Sequence, residues 1–130
     1  MNKITKEDIR VRYKEYNRLY FGNQLKHCKF SVQKMSWCEG MYTYKKEKDG
    51  IIEGRIWLTN DIDWTEATLR ETIIHEMIHH YVRTIDRQWG GLFGHGRLFR
   101  RQCKRLKRDY GLTITIHSKL PRINNKRTII

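Results

Sequence analysis

Proline is nearly absent from this chain of 130 residues: the single one is Pro121, so nothing between residues 5 and 117 reads as a linker. Cysteine is scarce and badly spaced. Cys28, Cys38 and Cys103 are odd in number and contain no C-x-x-C pair, which excludes a disulfide framework and a thiolate zinc site. Long apolar runs are missing as well. No stretch approaches the roughly 18 apolar residues of a membrane span, and the N-terminal MNKITKEDIR has no hydrophobic segment behind its charges. These absences lead us to expect an intracellular protein, cytoplasmic or nucleoid-associated if bacterial, with reduced thiols and no membrane partner.

Acidic residues also run short, at 14 against 27 Lys and Arg, for a net charge of +13. The imbalance is uneven. Residues 1–30 carry +5 and residues 96–130 carry +10, whereas residues 31–95 carry −2. Positive charge gathered at both ends of a chain favours a polyanionic partner over mere solubility.

The length suits one domain, expected over residues 1–117, followed by a basic C-terminal tail at 118–130. Thr5 and Asp8 approximate a capping box, and Ile9, Tyr13, Tyr16 and Tyr20 recur at helical spacing up to Gly22, predicting a helix over about residues 6–21. Runs rich in β-branched and aromatic residues predict strands at about 29–35, 40–45 and 51–58, the last two joined across Lys48-Asp49-Gly50. Asp63 is the expected cap of a long helix over about 64–86, where Leu69, Ile73, Ile74, Met77, Ile78, Tyr81, Val82 and Ile85 keep helical spacing. After the glycine-rich turn Trp89 to Gly94, a helix at about 96–110 ends at Gly111, and a short strand is expected over Thr113 to His117. The fold class is α+β, a small antiparallel or mixed sheet packed on the long helix, with flanking helices.

That long helix carries His75-Glu76-Met77-Ile78-His79, an H-E-x-x-H motif. Residues i and i+4 share a helix face about 5–6 Å apart at Cβ, so both imidazoles can reach one ion. Glu76 beside them is the candidate general base, taking a proton from water that the ion has acidified. One catalytic Zn2+ needs a third protein ligand and an open position. Glu76 is the last glutamate in the chain, so no downstream glutamate can serve, and Val82 and Ile85 stand where the extended H-E-x-x-H-x-x-G-x-x-H pattern needs glycine and histidine. His80 points about 100° away from His79 around the helix, and Asp86 lies about 10 Å along it. His95, after the glycine turn, is the preferred third ligand, with His117 as its nearest rival; His80 is expected to pack beside the site.

Four blocks in order carry a resemblance: Tyr16-Asn17-Arg18-Leu19-Tyr20-Phe21-Gly22-Asn23-Gln24-Leu25, Gly54-Arg55-Ile56-Trp57-Leu58, His75 to His79, and His95-Gly96-Arg97-Leu98-Phe99. Over about residues 7–110 the chain resembles the SprT-like zinc metalloproteases, including the Spartan type. The resemblance implies a zincin-like domain in which His75, His79 and His95 hold zinc and Glu76 is catalytic. It further implies an endopeptidase recruited to and activated by DNA, cleaving DNA-bound or DNA-crosslinked proteins. One departure is plain: many such proteins carry a further zinc-binding segment built from cysteines, and this chain has no such set.

Any nucleic-acid contact therefore falls to the core and the tail. Arg97, Arg100, Arg101, Lys104, Arg105, Lys107 and Arg108 put seven positive charges on the last helix, a surface suited to the backbone of single-stranded or distorted DNA without base readout. Lys119, Arg122, Lys126 and Arg127 could extend it. Of the four tryptophans, Trp57 and Trp64 read as packing residues, whereas Trp37 and Trp89 adjoin turns and could stack bases. The 51–58 strand is expected to offer an exposed edge to an extended peptide substrate. A monomer is expected. The competing readings are a non-catalytic, zinc-containing nucleic-acid-binding domain and a peptidase acting on acidic or RNA-bound proteins.

Overall fold

The computed structural model describes residues 3–88 and 95–115, together with the backbone of 119–121 and 126–128. Helix α1 spans Lys6–Tyr20 and starts with the expected capping box, Thr5 and Asp8 each satisfying the other's backbone N–H. Its buried face carries Ile9, Tyr13 and Tyr16. The Asn17 side chain bonds both the N–H and the C=O of Leu25, which folds the chain back after a left-handed turn at Gly22 and Asn23.

Strands β1 (Cys28–Gln33), β2 (Gly40–Lys46) and β3 (Ile52–Thr59) form a mixed sheet in the order β1-β3-β2. The pairing of β3 with β1 is parallel and with β2 antiparallel, the latter closed by a turn in which Gly50 has a φ of 85°. The expectation of a free edge on β3 is thereby corrected. It is the central strand, because residues 28–33 take up the side that a simple hairpin would leave open. Its inward face, Ile52, Gly54, Ile56 and Leu58, is buried as the alternation predicts. Among the described residues, the unpaired edge beside the long helix belongs to β2.

Helix α2 spans Glu66–Thr84 and crosses the inner face of the sheet. Its cap is Thr65, not Asp63: Thr65 and Thr68 form a reciprocal capping box. The start is delayed because Trp64 is buried in the core, where its indole N–H donates to the Thr59 carbonyl. Leu69, Ile73, Ile74, Met77 and Ile78 are fully buried and form the centre of the core with Ile56, Leu58, Phe99 and Leu106. Gly54 decides how closely α2 approaches the sheet. A Cβ there would lie 2.5 Å from both His80 Nδ1 and the Tyr42 hydroxyl, two groups already bonded to each other and unable to withdraw.

Helix α3 spans Arg97–Tyr110 and ends at Gly111 in the left-handed conformation, with Leu112 N–H returning to the Leu106 carbonyl. Among the described residues after it, 111–115 are irregular, so the strand expected from Thr113 does not form there; His117 lies outside the described residues. Backbone pairing joins β4 (Lys119–Pro121) to β5 (Lys126–Thr128) as a short antiparallel pair, where the sequence suggested only a tail. The result is a small α+β domain of three helices and a three-stranded mixed sheet among the described residues.

Candidate metal centre

His75 and His79 project from the same face of α2, as the four-residue step requires, with ring centroids 5.2 Å apart. His95, just before α3, meets both. Its ring lies 5.0 Å from His75 and 4.9 Å from His79, and the Nε2 atoms of His75 and His95 are 3.1 Å apart. One ligand nitrogen from each of the three falls within a 4.8 Å cluster, which could hold a metal ion. Two nitrogens bound tetrahedrally at about 2.0–2.1 Å stand roughly 3.3 Å apart, so the His75 and His95 pair already matches zinc-ligand spacing.

The floor of the cluster is Phe99, whose ring sits 4.9, 4.7 and 4.8 Å from those of His75, His79 and His95. The sequence shows Phe99 only as the end of the His95 to Phe99 block, with no role at the cluster. Its position four residues after His95, one helical turn on, is the signal that could have given it one. His75 Nδ1 faces the Thr115 carbonyl at 2.9 Å. A carbonyl only accepts, so Nδ1 carries the proton and Nε2 keeps its lone pair for the cluster.

Glu76 is fully buried, and its Oε1 lies 3.9 Å from His79 Nε2. Neither carboxylate oxygen has a hydrogen-bond partner among the described residues. Burial alone pushes its pKa well above the usual carboxylate range. Burial, then the proximity of His75 and His95, pushes His79 down to about 2. An unpartnered carboxylate beside neutral imidazoles is what a cationic ion would complete, so the residues present fit a metal.

Gly40 opens space here. A Cβ at this position would meet Thr72 Cγ2 at 2.7 Å and Glu76 Oε2 at 3.1 Å, so β2 can begin beside the carboxylate only with glycine. Two residues on, Tyr42 stacks at 13° on His79, centroids 6.1 Å apart, and its hydroxyl lies 2.6 Å from Nδ1 of the buried His80. Burial raises the Tyr42 pKa, so the hydroxyl keeps its proton while hydrogen-bonded to His80 Nδ1. His80 packs beside the site as expected and turns away from the cluster. The sequence reading treated Gly40 and Tyr42 only as strand residues.

Residues 9–118 match the sequence profile of the SprT-like family, which covers most of the chain. The chain belongs to the SprT-like family. That assigns it a metallopeptidase-like domain, and the histidine cluster lies inside the matched region. A comparison with curated proteins gives no match. No helix among the described residues of this SprT-like chain is long and apolar enough to cross a membrane.

The basic residues singled out on α3 divide. Arg97, Arg100, Arg101, Lys104, Arg105 and Arg108 line one groove of about 960 Å³ that also reaches His95. Lys107 turns to the other side, where it donates to the Thr113 hydroxyl. Arg105 is half-buried over the Phe21 ring, and Arg108 is paired with Asp109. Trp37 is exposed, while Trp57 donates its indole N–H to Thr43 and lies near Arg55. Trp89 falls outside the described residues, and of the tail's basic residues, so does Arg122.

Proposed function

We propose that this SprT-like chain is a zinc endopeptidase that acts on proteins held on DNA, including proteins crosslinked to it. The observation that carries the hydrolytic part is the buried, unpartnered Glu76 carboxylate beside three converging imidazoles. His75, His79 and His95 would hold the ion as three protein ligands, the number found at catalytic zinc sites. Zinc, when bound, acidifies water and polarises the scissile carbonyl. Glu76 takes the proton of the attacking water and passes it to the amine nitrogen as the C–N bond breaks. The open edge of β2, which begins beside Glu76, suits an extended peptide paired by its backbone.

Support for DNA as recruiter is the groove beside His95, lined among the described residues by six cationic side chains and by no acidic one. Phosphates along it would bring DNA-bound protein near the histidines without reading bases. The test is cleavage of a basic protein by the zinc-loaded chain, with and without single-stranded DNA. Cleavage is expected to rise with DNA at low salt and to lose that gain as salt increases. In Arg97→Ala/Arg101→Ala/Lys104→Ala the salt dependence of DNA binding should flatten, by about one unit of log–log slope for each lost phosphate contact. A rate indifferent to DNA at low salt sinks the recruitment reading and leaves the peptidase reading standing.

A further inference from the structure

One chain of contacts outside the catalytic groups ends on a histidine ring. Glu71 lies on α2 four residues before His75 and is half-buried. Its Oε1 accepts two hydrogen bonds from one residue: the Thr115 hydroxyl at 2.6 Å and the Thr115 N–H at 3.2 Å. The carbonyl of the same Thr115 accepts from His75 Nδ1 at 2.9 Å. Residues 111–115 belong to no helix or strand, so no backbone ladder holds that carbonyl in place. The segment is also held by the Leu112 N–H to Leu106 carbonyl bond, the Lys107 to Thr113 bond and buried Ile114, but among the described residues the side-chain hydrogen bonds that reach Thr115 itself come from Glu71 and His75.

We propose that Glu71 is a positioning residue for the metal centre: by clamping Thr115 it fixes the Nδ1–H tautomer and the ring orientation of His75. The inference rests on reading the three histidines as metal ligands. Its logic is geometric. If Thr115 shifts, Nδ1 loses its acceptor, the proton is free to move to Nε2, and the nitrogen facing His95 then has no lone pair to give. A charged acceptor holding two donors of one residue makes a stronger clamp than a neutral one.

The experiment uses the full chain, first metal-free and then titrated with zinc against a chromophoric chelator. Long-range proton–nitrogen spectra of the imidazoles report the tautomer, with the His75 signals assigned by their loss in His75→Gln. Wild type is expected to show His75 protonated at Nδ1. Glu71→Ala should show a mixture of tautomers and bind zinc about 10–100-fold more weakly. Glu71→Gln, whose amide oxygen still accepts, should recover most of both. Glu66→Ala, which removes only the surface ion pair with Arg12, should change neither.

Wild-type affinity and tautomer in Glu71→Ala overturn the proposal. So does a loss of affinity that tracks a lower melting temperature with the tautomer unchanged, since that would be a structural staple alone. A wild-type chain that binds no zinc refutes the metal-centre reading instead, and the metal-free spectra then still decide whether Glu71 sets the tautomer.

Discussion

Glu76→Gln is expected to cut peptide hydrolysis by about 10²–10⁴-fold while the protein keeps its zinc. In the proposed site the three imidazoles would hold the metal without Glu76, so its amide replacement would leave the ligand set intact and remove only the group that accepts the proton of water. The same substitution should have the opposite effect on stability. In the metal-free protein burial raises the Glu76 pKa from 4.5, so the native state binds this proton more tightly than the unfolded chain does. Stability from this residue therefore falls as pH rises above 4.5, and the loss is complete above the raised value. At pH 7.5 metal-free Glu76→Gln should melt at a higher temperature than metal-free wild type, and the gap should close below pH 4.5. Paired scanning calorimetry and cleavage assays on the two proteins check both halves. Equal hydrolysis with equal zinc would remove Glu76 from the mechanism.

Acid should unfold the metal-free protein through its buried histidines, and the Gln variant shows this without the opposing slope of Glu76. His80 is held down to about 4, by burial first, with the nearby Lys26 carbonyl working the other way and His27 adding to the depression. His79 is held lower still. Both stay neutral in the fold but take up a proton in the unfolded chain below about 6.5. The stability they contribute is therefore fully present above that pH and is lost as pH falls through the folded values. For His80 alone the loss is on the order of 3 kcal/mol. Urea unfolding of metal-free Glu76→Gln at steps from pH 7.5 to 4 should show midpoints that fall once the pH passes below 6.5. A flat profile over that range would mean that these rings are hydrated in the native state.

The parts of this molecule that depend on local chemistry were legible in its sequence. His75 and His79 follow from the four-residue step, the α1 cap from Thr5 and Asp8, and the end of α3 from Gly111. His95 was reached by elimination, and the structure brings it to the other two. What was not legible depends on partners distant in the chain. The central place of β3 follows from parallel pairing with β1, which no hairpin signal announces. Thr65 replaces Asp63 as the α2 cap because the core takes Trp64, a tertiary demand. The acceptor that orients His75 is a backbone carbonyl, and a carbonyl leaves no trace in residue identity. Gly40 and Gly54 were visible as glycines, but their reasons, Glu76 and His80 pressed against them, lie in α2.

His75, His79 and His95 are proposed to form one zinc site together. The most direct test is the zinc content and affinity of the purified chain beside His95→Ala, at pH 7.5, by elemental analysis and chelator competition. One zinc per wild-type chain is expected, and a loss of affinity of at least about 10-fold when His95 is removed, with the fold retained by circular dichroism. Undiminished zinc affinity in folded His95→Ala would contradict the three-histidine site.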